Sequence, residues 1–354
     1  MEIHQILPNI GRGDAIGNET LLIRDILHEW GHTSDIYAQN IQPGIDAFPY
    51  TNYKNKSAKD NILIYHYSIG SDITEFIEKL PDKIVILYHN QTPEKYFWGI
   101  NDQVASLLHK GRQDMKKLSN IAKYGIGDSE FNCLELKESG FAKIEVLPLI
   151  FDFAKKKIIN EEILKQYPDS WINILFVGRI APNKRQDELI KIFYYYKNIN
   201  PNSRLFLIGN FHGFEEYYKN LKEIIEQLSL PDVIMPGSVS DNDLNAYYSI
   251  ADVFLCMSEH EGFCVPLVES MYFNVPIIAN NSTAIPFTLG DSGVLINKKE
   301  YCEIAEFIDI IINDVNLKKK IIEKQQIRLK EFASDKTKEK LRKIIENIMK
   351  GEAG

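Results

Sequence analysis

The sequence predicts an α/β protein of two doubly wound parallel sheets, and three observations carry that prediction. A length of 354 residues exceeds one ordinary domain and suits two of about 150–180 residues. Short β-rich runs alternate with helical stretches from end to end, the pattern of βαβ units. The composition is globular, 44% hydrophobic and 25% charged, and no apolar run approaches the roughly 20 residues of a membrane helix.

Strands of a first sheet are expected at residues 2–7, 33–37, 61–65, 83–88, 121–124 and 143–147. A second sheet is expected at 172–177, 204–208, 233–235, 253–255, 276–279 and 293–296. The stretch 148–170, with its run Lys155-Lys156-Lys157, is the best linker candidate, giving domains at 1–150 and 151–333. From Ser334 onward Leu341, Ile344, Ile345 and Ile348 recur at helical spacing among Lys, Arg and Glu. Residues 334–354 are therefore expected to form an amphipathic helix packing back on the N-terminal domain. The start, from Met1 to Pro8, reads as a first strand with no basic leader, so a cytoplasmic protein is expected.

A formal charge of −8 disfavours general attraction to nucleic acid or anionic lipid. Cys133, Cys256, Cys264 and Cys302 show no C-x-x-C pair and no histidine at zinc spacing, and read as isolated thiols.

The densest chemistry lies between Ser258 and Glu269, fed by the apolar run Val253-Phe254-Leu255, with Pro266 suited to the first turn of a helix. Were both helical, Glu261 and Glu269 would stand about 12 Å apart and roughly 80° round the axis. They cannot share a proton or a metal, but they can reach separate hydroxyls of one elongated ligand. Between them the amides of Gly262, Phe263, Cys264 and Val265 suit an anion at a helix N-terminus. Either acid, taken alone, reads equally well as solvated.

Arg179 and Lys184 lie in Gly178-Arg179-Ile180-Ala181-Pro182-Asn183-Lys184-Arg185, after the first strand of the second sheet. Arginine forks and lysine ammonium groups both suit phosphate. Asp241-Asn242-Asp243 spells a D-x-D metal pattern, but Ser240 before it reads better as a capping box. No metal or other cofactor is therefore expected.

Gly11-Arg12-Gly13-Asp14-Ala15-Ile16-Gly17 follows the first strand and approaches the dinucleotide fingerprint without matching it. His66 and His89 fall where strands end. His109-Lys110-Gly111-Arg112 with Lys116 and Lys117 reads first as a solvated helix face and second as a weak peripheral membrane contact.

These motifs resemble the group-one glycosyltransferases, family 4 of the retaining enzymes. Gly178-Arg179, Lys184, Gly237, Asp252, Ser258, the Glu261 to Glu269 pair and Pro276 fall in that family's order. The resemblance implies a GT-B fold, two facing Rossmann-like doubly wound domains with an interdomain cleft. It implies transfer of a sugar, with retained configuration, from a UDP- or GDP-sugar to a glycan or lipid-linked acceptor, in the cytoplasm or at the inner face of the membrane. It gives Glu261 to the donor sugar, Glu269 to the ribose, Arg179 and Lys184 to the diphosphate, and makes His89 the active-site histidine. The loops at Asn210 and at Ser238 and Val239 then face the nucleoside, Gly13 the donor, and Asp14, Gly17 and His66 the acceptor side. Cys264 departs from the family, which usually has glycine there. A sugar-nucleotide epimerase of the same fold and a non-catalytic sugar-nucleotide-binding regulator are the alternatives.

Overall fold

The computed structural model of the chain describes residues 1–11, 13–168 and 170–351. Arg12 of the glycine-rich loop, Asp169 of the linker candidate and the tail end 352–354 lie outside the described residues. The chain forms two compact units.

The first unit comprises Met1–Lys95, Gln103–Phe151 and the C-terminal segment from Phe332. Its sheet holds β1 (Ile3–Ile10), β2 (Ile36–Ile41), β3 (Phe48–Pro49), β4 (Ile62–Tyr67), β5 (Lys83–Tyr88), β6 (Tyr124–Gly127) and β7 (Lys143–Val146). All pairings are parallel, in the order β3-β2-β1-β4-β5-β6-β7. Every residue of β4 is buried, as expected of a strand covered on both faces.

The second unit comprises Tyr96–Asp102 and Asp152–Glu331. It repeats the plan with β8 (Ile172–Val177), β9 (Ser203–Ile208), β10 (Val233–Gly237), β11 (Val253–Cys256), β12 (Ile277–Asn280) and β13 (Val294–Ile296). The order is β10-β9-β8-β11-β12-β13, again parallel. In each unit strand order reverses beside the first strand, between β1 and β4 and between β8 and β11. A crevice outside the carboxyl ends of the strands opens at such a reversal.

Two expected strands are displaced and one strand is added. The strand expected at 33–37 runs over Ile36–Ile41, although the carbonyls of Thr33 and Asp35 already accept from Ile3 and Gln5. The strand expected at 121–124 is Tyr124–Gly127, because the 20-residue helix Asp102–Ile121 continues through Ile121. Phe48–Pro49 adds an unexpected edge strand, a place where proline's missing N–H is tolerated.

The C-terminal helix Ser334–Lys350 buries Leu341, Ile344, Ile345 and Ile348 against Ile3, Ile23, Ile26 and Leu27 of the first unit. Arg342 adds a cation–π contact, 4.7 Å from the ring centre of Trp30. Among the described residues no helix is long and apolar enough to cross a membrane.

Candidate functional site

In the second unit, the loops leaving β8 and β11 are built together. Gly209 sets their geometry: its φ is +157°, and a Cβ there would stand 1.9 Å from the Gly178 carbonyl oxygen. Only glycine lets β9 end so close to the β8 loop. Asn183 ties that loop to the next, its carbonyl accepting from the Glu259 amide at 2.8 Å and its side chain donating to the His260 carbonyl at 3.2 Å.

That tie brings Lys184 onto Glu261. Lysine Nζ lies 2.6 Å from Glu261 Oε2, and the two side chains are only 19% and 10% exposed. Burial alone would depress the lysine pKa, but the Glu261 carboxylate outweighs it and holds the ammonium above its usual range. The Glu261 amide donates to Thr283 Oγ1 at 2.9 Å, fixing the acid's backbone as well. Arg179 is exposed but oriented: it donates to the His212 carbonyl at 2.7 Å and its guanidinium lies 4.7 Å from the ring centre of Phe214.

Glu269 lies inside the helix Val265–Tyr272. Tyr248 donates to its Oε2 at 2.8 Å, and Lys156 Nζ lies 2.7 Å from its Oε1. This pairing is not visible in the sequence, because Lys156 sits in a lysine run with the composition of a linker. Cys264, the N-cap of that helix, is left-handed at φ 71° and makes no side-chain cap. Asn210 pairs its carbonyl with the Ile180 amide at 2.9 Å, and its side chain accepts from the His212 amide at 2.7 Å. Ser238 and Val239 follow β10 and precede the helix cap Ser240.

The D-x-D segment is a helix start. Ser240 Oγ accepts from the Asp243 amide at 3.2 Å, the Ser240 amide donates back to Asp243 Oδ2 at 3.4 Å, and Asn160 donates to Asp243 Oδ1 at 2.6 Å.

The first unit carries a separate polar cluster around His89. Its Nδ1 lies 2.9 Å from Asp128 Oδ2 and 3.7 Å from Glu19 Oε2, and its Nε2 lies 2.9 Å from His66 Nδ1. His66 is fully buried, and its other nitrogen meets Gln5 Oε1 at 2.9 Å. Burial opposes a charge on His89, but Asp128, then Glu19 and Asp14, outweigh it and lift the pKa to about 9. Burial and the neighbouring Asp128 raise Glu19 to about 8, while burial and His89 push His66 well down. Asp14 caps the helix Ala15–Glu29 by accepting from the Gly17 amide, and Gly17 is closed upon Gly11, whose carbonyl oxygen would be 2.3 Å from a Cβ there. Gly13 has φ +80° with open space beside it.

Among the described residues, two groups bring three donor atoms within 4.8 Å of one another: Glu19, His66 and His89, and Cys256, Glu261 and Cys264. In the first, the facing ring nitrogens are at hydrogen-bond distance, so a proton fills the space between them. In the second, the Lys184 ammonium already stands on Glu261. The fold thus joins two thiols that the sequence read as isolated. The basic cluster of the first unit is largely matched by acids: His109 with Glu94, Lys110 with Asp72, Arg112 with Glu94 and Glu135, and Lys117 with Glu78.

Residues 160–328, inside the second unit, match the family model described as glycosyl transferases group 1. The chain carries a glycosyl transferases group 1 domain. Similar curated proteins include the capsular polysaccharide biosynthesis glycosyltransferase CapM of Staphylococcus aureus, 27% identical over 57% of this chain and 54% of that protein. Another is the O-antigen chain mannosyltransferase B of Escherichia coli, 24% identical over 49% of this chain and 50% of that protein. The chain thus spans about half the length of these relatives. Around the group 1 domain the fold likeness extends over nearly everything. Anabaena HepE, solved with UDP-glucose, superposes with a TM-score of 0.74 at 17% identity, covering 98% of this chain and 100% of that one. Sucrose-phosphate synthase of Thermosynechococcus elongatus gives 0.75 at 14% identity, covering 99% and 100%.

Proposed function

We propose that this protein is a glycosyltransferase, moving a sugar from a nucleoside-diphosphate sugar to a hydroxyl of a glycan or lipid-linked acceptor with retention of configuration. The observation that carries the reading is the half-buried Lys184–Glu261 pair beside the N-terminus of the helix that bears Glu269. Its support comes from the group 1 domain over the same residues and from relatives named for capsule and O-antigen synthesis. HepE, a relative in fold, was solved with UDP-glucose.

In this reading Lys184 and Arg179 neutralise charge that grows on the departing diphosphate as the anomeric C–O bond breaks, where a preplaced cation acts most strongly. The amides of Gly262, Phe263, Cys264 and Val265 add the dipole of a helix start. Glu261 takes hydroxyls of the donor sugar, and Glu269, oriented by Tyr248 and Lys156, takes the ribose diol. No acid is assigned as a nucleophile. The acceptor oxygen forms the new bond on the face the diphosphate leaves, and its proton passes to a phosphate oxygen. Asn210, Ser238 and Val239 face the nucleoside, and no metal takes part.

The test is a panel of UDP-, GDP- and ADP-sugars with oligosaccharide and polyprenyl-diphosphate-sugar acceptors, reading nucleoside diphosphate release and linked product, with and without EDTA. Release and product from one donor, unchanged by chelator, are expected. Tight donor binding with neither signal would identify a regulator instead, and donor converted without any acceptor would identify an epimerase.

A further inference from the structure

The polar cluster of the first unit fixes the position of every proton along it, and the argument starts from an amide. Gln5 Nε2 lies 3.0 Å from the Thr20 carbonyl oxygen, which can only accept. The NH₂ end of the amide therefore points at Thr20, and Oε1 is the end that faces His66. His66 Nε2, 2.9 Å from that oxygen, must carry a hydrogen to donate. The two ring nitrogens of His66 meet an amide oxygen and another histidine, neither of them an anion, so burial keeps the ring neutral, in agreement with the downward push on its pKa. Its Nδ1 is then a bare lone pair.

That lone pair faces His89 Nε2 at 2.9 Å, so His89 must donate there. On the opposite edge His89 Nδ1 meets Asp128 Oδ2 at 2.9 Å, and a carboxylate accepts. Both His89 nitrogens thus carry hydrogen. The residues that face the ring are Glu19 and Asp14 from the first helix, Asp128 from the turn after β6 and His66 from β4. Asp128 balances the imidazolium, and Glu19, raised by burial and by Asp128, supplies a neutral carboxylic acid below about pH 8.

We infer that Asp128, with the directed chain from Thr20 through Gln5 and His66, holds His89 doubly protonated, so that His89 serves as a fixed positive charge and not as a base. Asp128, Gln5 and His66 are positioning residues in this account. The role in sugar transfer rests on the proposed function; the protonation state does not. A doubly protonated ring has no lone pair left to take up a further proton.

The experiment is ¹⁵N NMR of the full chain labelled at histidine, the His89 signals assigned by their loss in His89→Gln. Two protonated-type nitrogens at His89 are expected at pH 7.5, persisting toward pH 9, with His66 showing one protonated nitrogen, Nε2. A lone-pair nitrogen on His89 at pH 7.5 would overturn the inference without any variant being made. Asp128→Asn should convert His89 to a neutral ring at pH 7.5. With the donor found by the panel, it should lower kcat at least about 10-fold while donor KM changes less than about 3-fold, and Asp128→Glu should recover part of the loss. An unaltered His89 spectrum in Asp128→Asn would remove Asp128 from the role. If the wild type shows the doubly protonated ring but transfers no sugar from any donor, the proposed function fails and the charge assignment stands.

Discussion

Lys184 and Glu261 show how a single contact can serve both folding and chemistry, and the two contributions can be separated. Lys184→Ala leaves a carboxylate at 10% exposure without its cation, which costs about 3 kcal/mol. Replacing both, as Lys184→Met with Glu261→Leu, removes the stranded charge. The double variant should regain most of the chemical-denaturation midpoint yet lose at least about 100-fold in turnover. If the double variant stayed as unstable as Lys184→Ala, or kept its turnover, the pair would be a structural bridge alone. Gly209→Ala makes the opposite point: with its Cβ 1.9 Å from a backbone oxygen, it should cost more than about 3 kcal/mol and yield little folded protein, read from soluble yield and melting. Gly178, Arg179, Lys184 and Glu261 could be singled out in the sequence because each is a chemically marked type in a loop after an apolar run, and Glu269 because it follows Pro266 at the start of a helix. Lys156 and Asp128 could not. Lys156 carried the composition of a linker, and Asp128 is a lone acid whose meaning depends on β5 and β6 lying side by side, a non-local fact that periodicity cannot show.

Helices and strands were read most reliably where a local stop or start signal stood beside the pattern. Ser240 with Asp243 announced a capping box, and the helix Asp241–Ile250 begins on it. Ser240→Ala should therefore cost about 1 kcal/mol of stability while leaving the response of activity to chelator unaltered, as measured by thermal melts and by rates in EDTA. A rate that became dependent on added Mg²⁺ or Mn²⁺ would revive the D-x-D reading. The C-terminal helix was equally legible, its four apolar positions matching its buried face. Ile345→Ala deletes a side chain that is 2% exposed among Ile3, Ile23 and Leu27 and should cost about 2–4 kcal/mol. Boundaries failed where no signal existed. Nothing between Ile121 and Tyr124 distinguishes the last turn of a long helix from the first residue of β6, and the helix continued because Leu118 and Ala122 still had core to reach.

For the molecule as a whole, the cluster in the first unit sets a dependence of stability on pH whose sign is fixed. In the unfolded chain a glutamate titrates near 4.5 and a histidine near 6.5; in the fold Glu19 rises to about 8 and His89 to about 9. Both groups bind protons more tightly when folded, so each contributes stability that is complete below its unfolded pKa and is lost as pH rises through its folded one. His66, lowered by burial, acts the other way, but its contribution disappears only as pH falls below about 6.5. Between pH 7 and 9 only the first two therefore operate, and they add. Because each unit has its own sheet and core, unfolding need not be one two-state event, and the loss belongs to the first unit's transition. That transition should weaken by about 3.5 kcal/mol from pH 7 to 9, with about 1.4 from Glu19 and about 2 from His89, each pKa unit being worth about 1.4 kcal/mol. Glu19→Gln, which keeps the shape of the protonated acid and cannot ionise, should flatten the fall most between pH 7 and 8. Urea melts followed by the fluorescence of Trp30, which packs partly buried against the first unit's core, give the measurement; a first-unit transition independent of pH from 7 to 9 would show that Glu19 and His89 are not raised together.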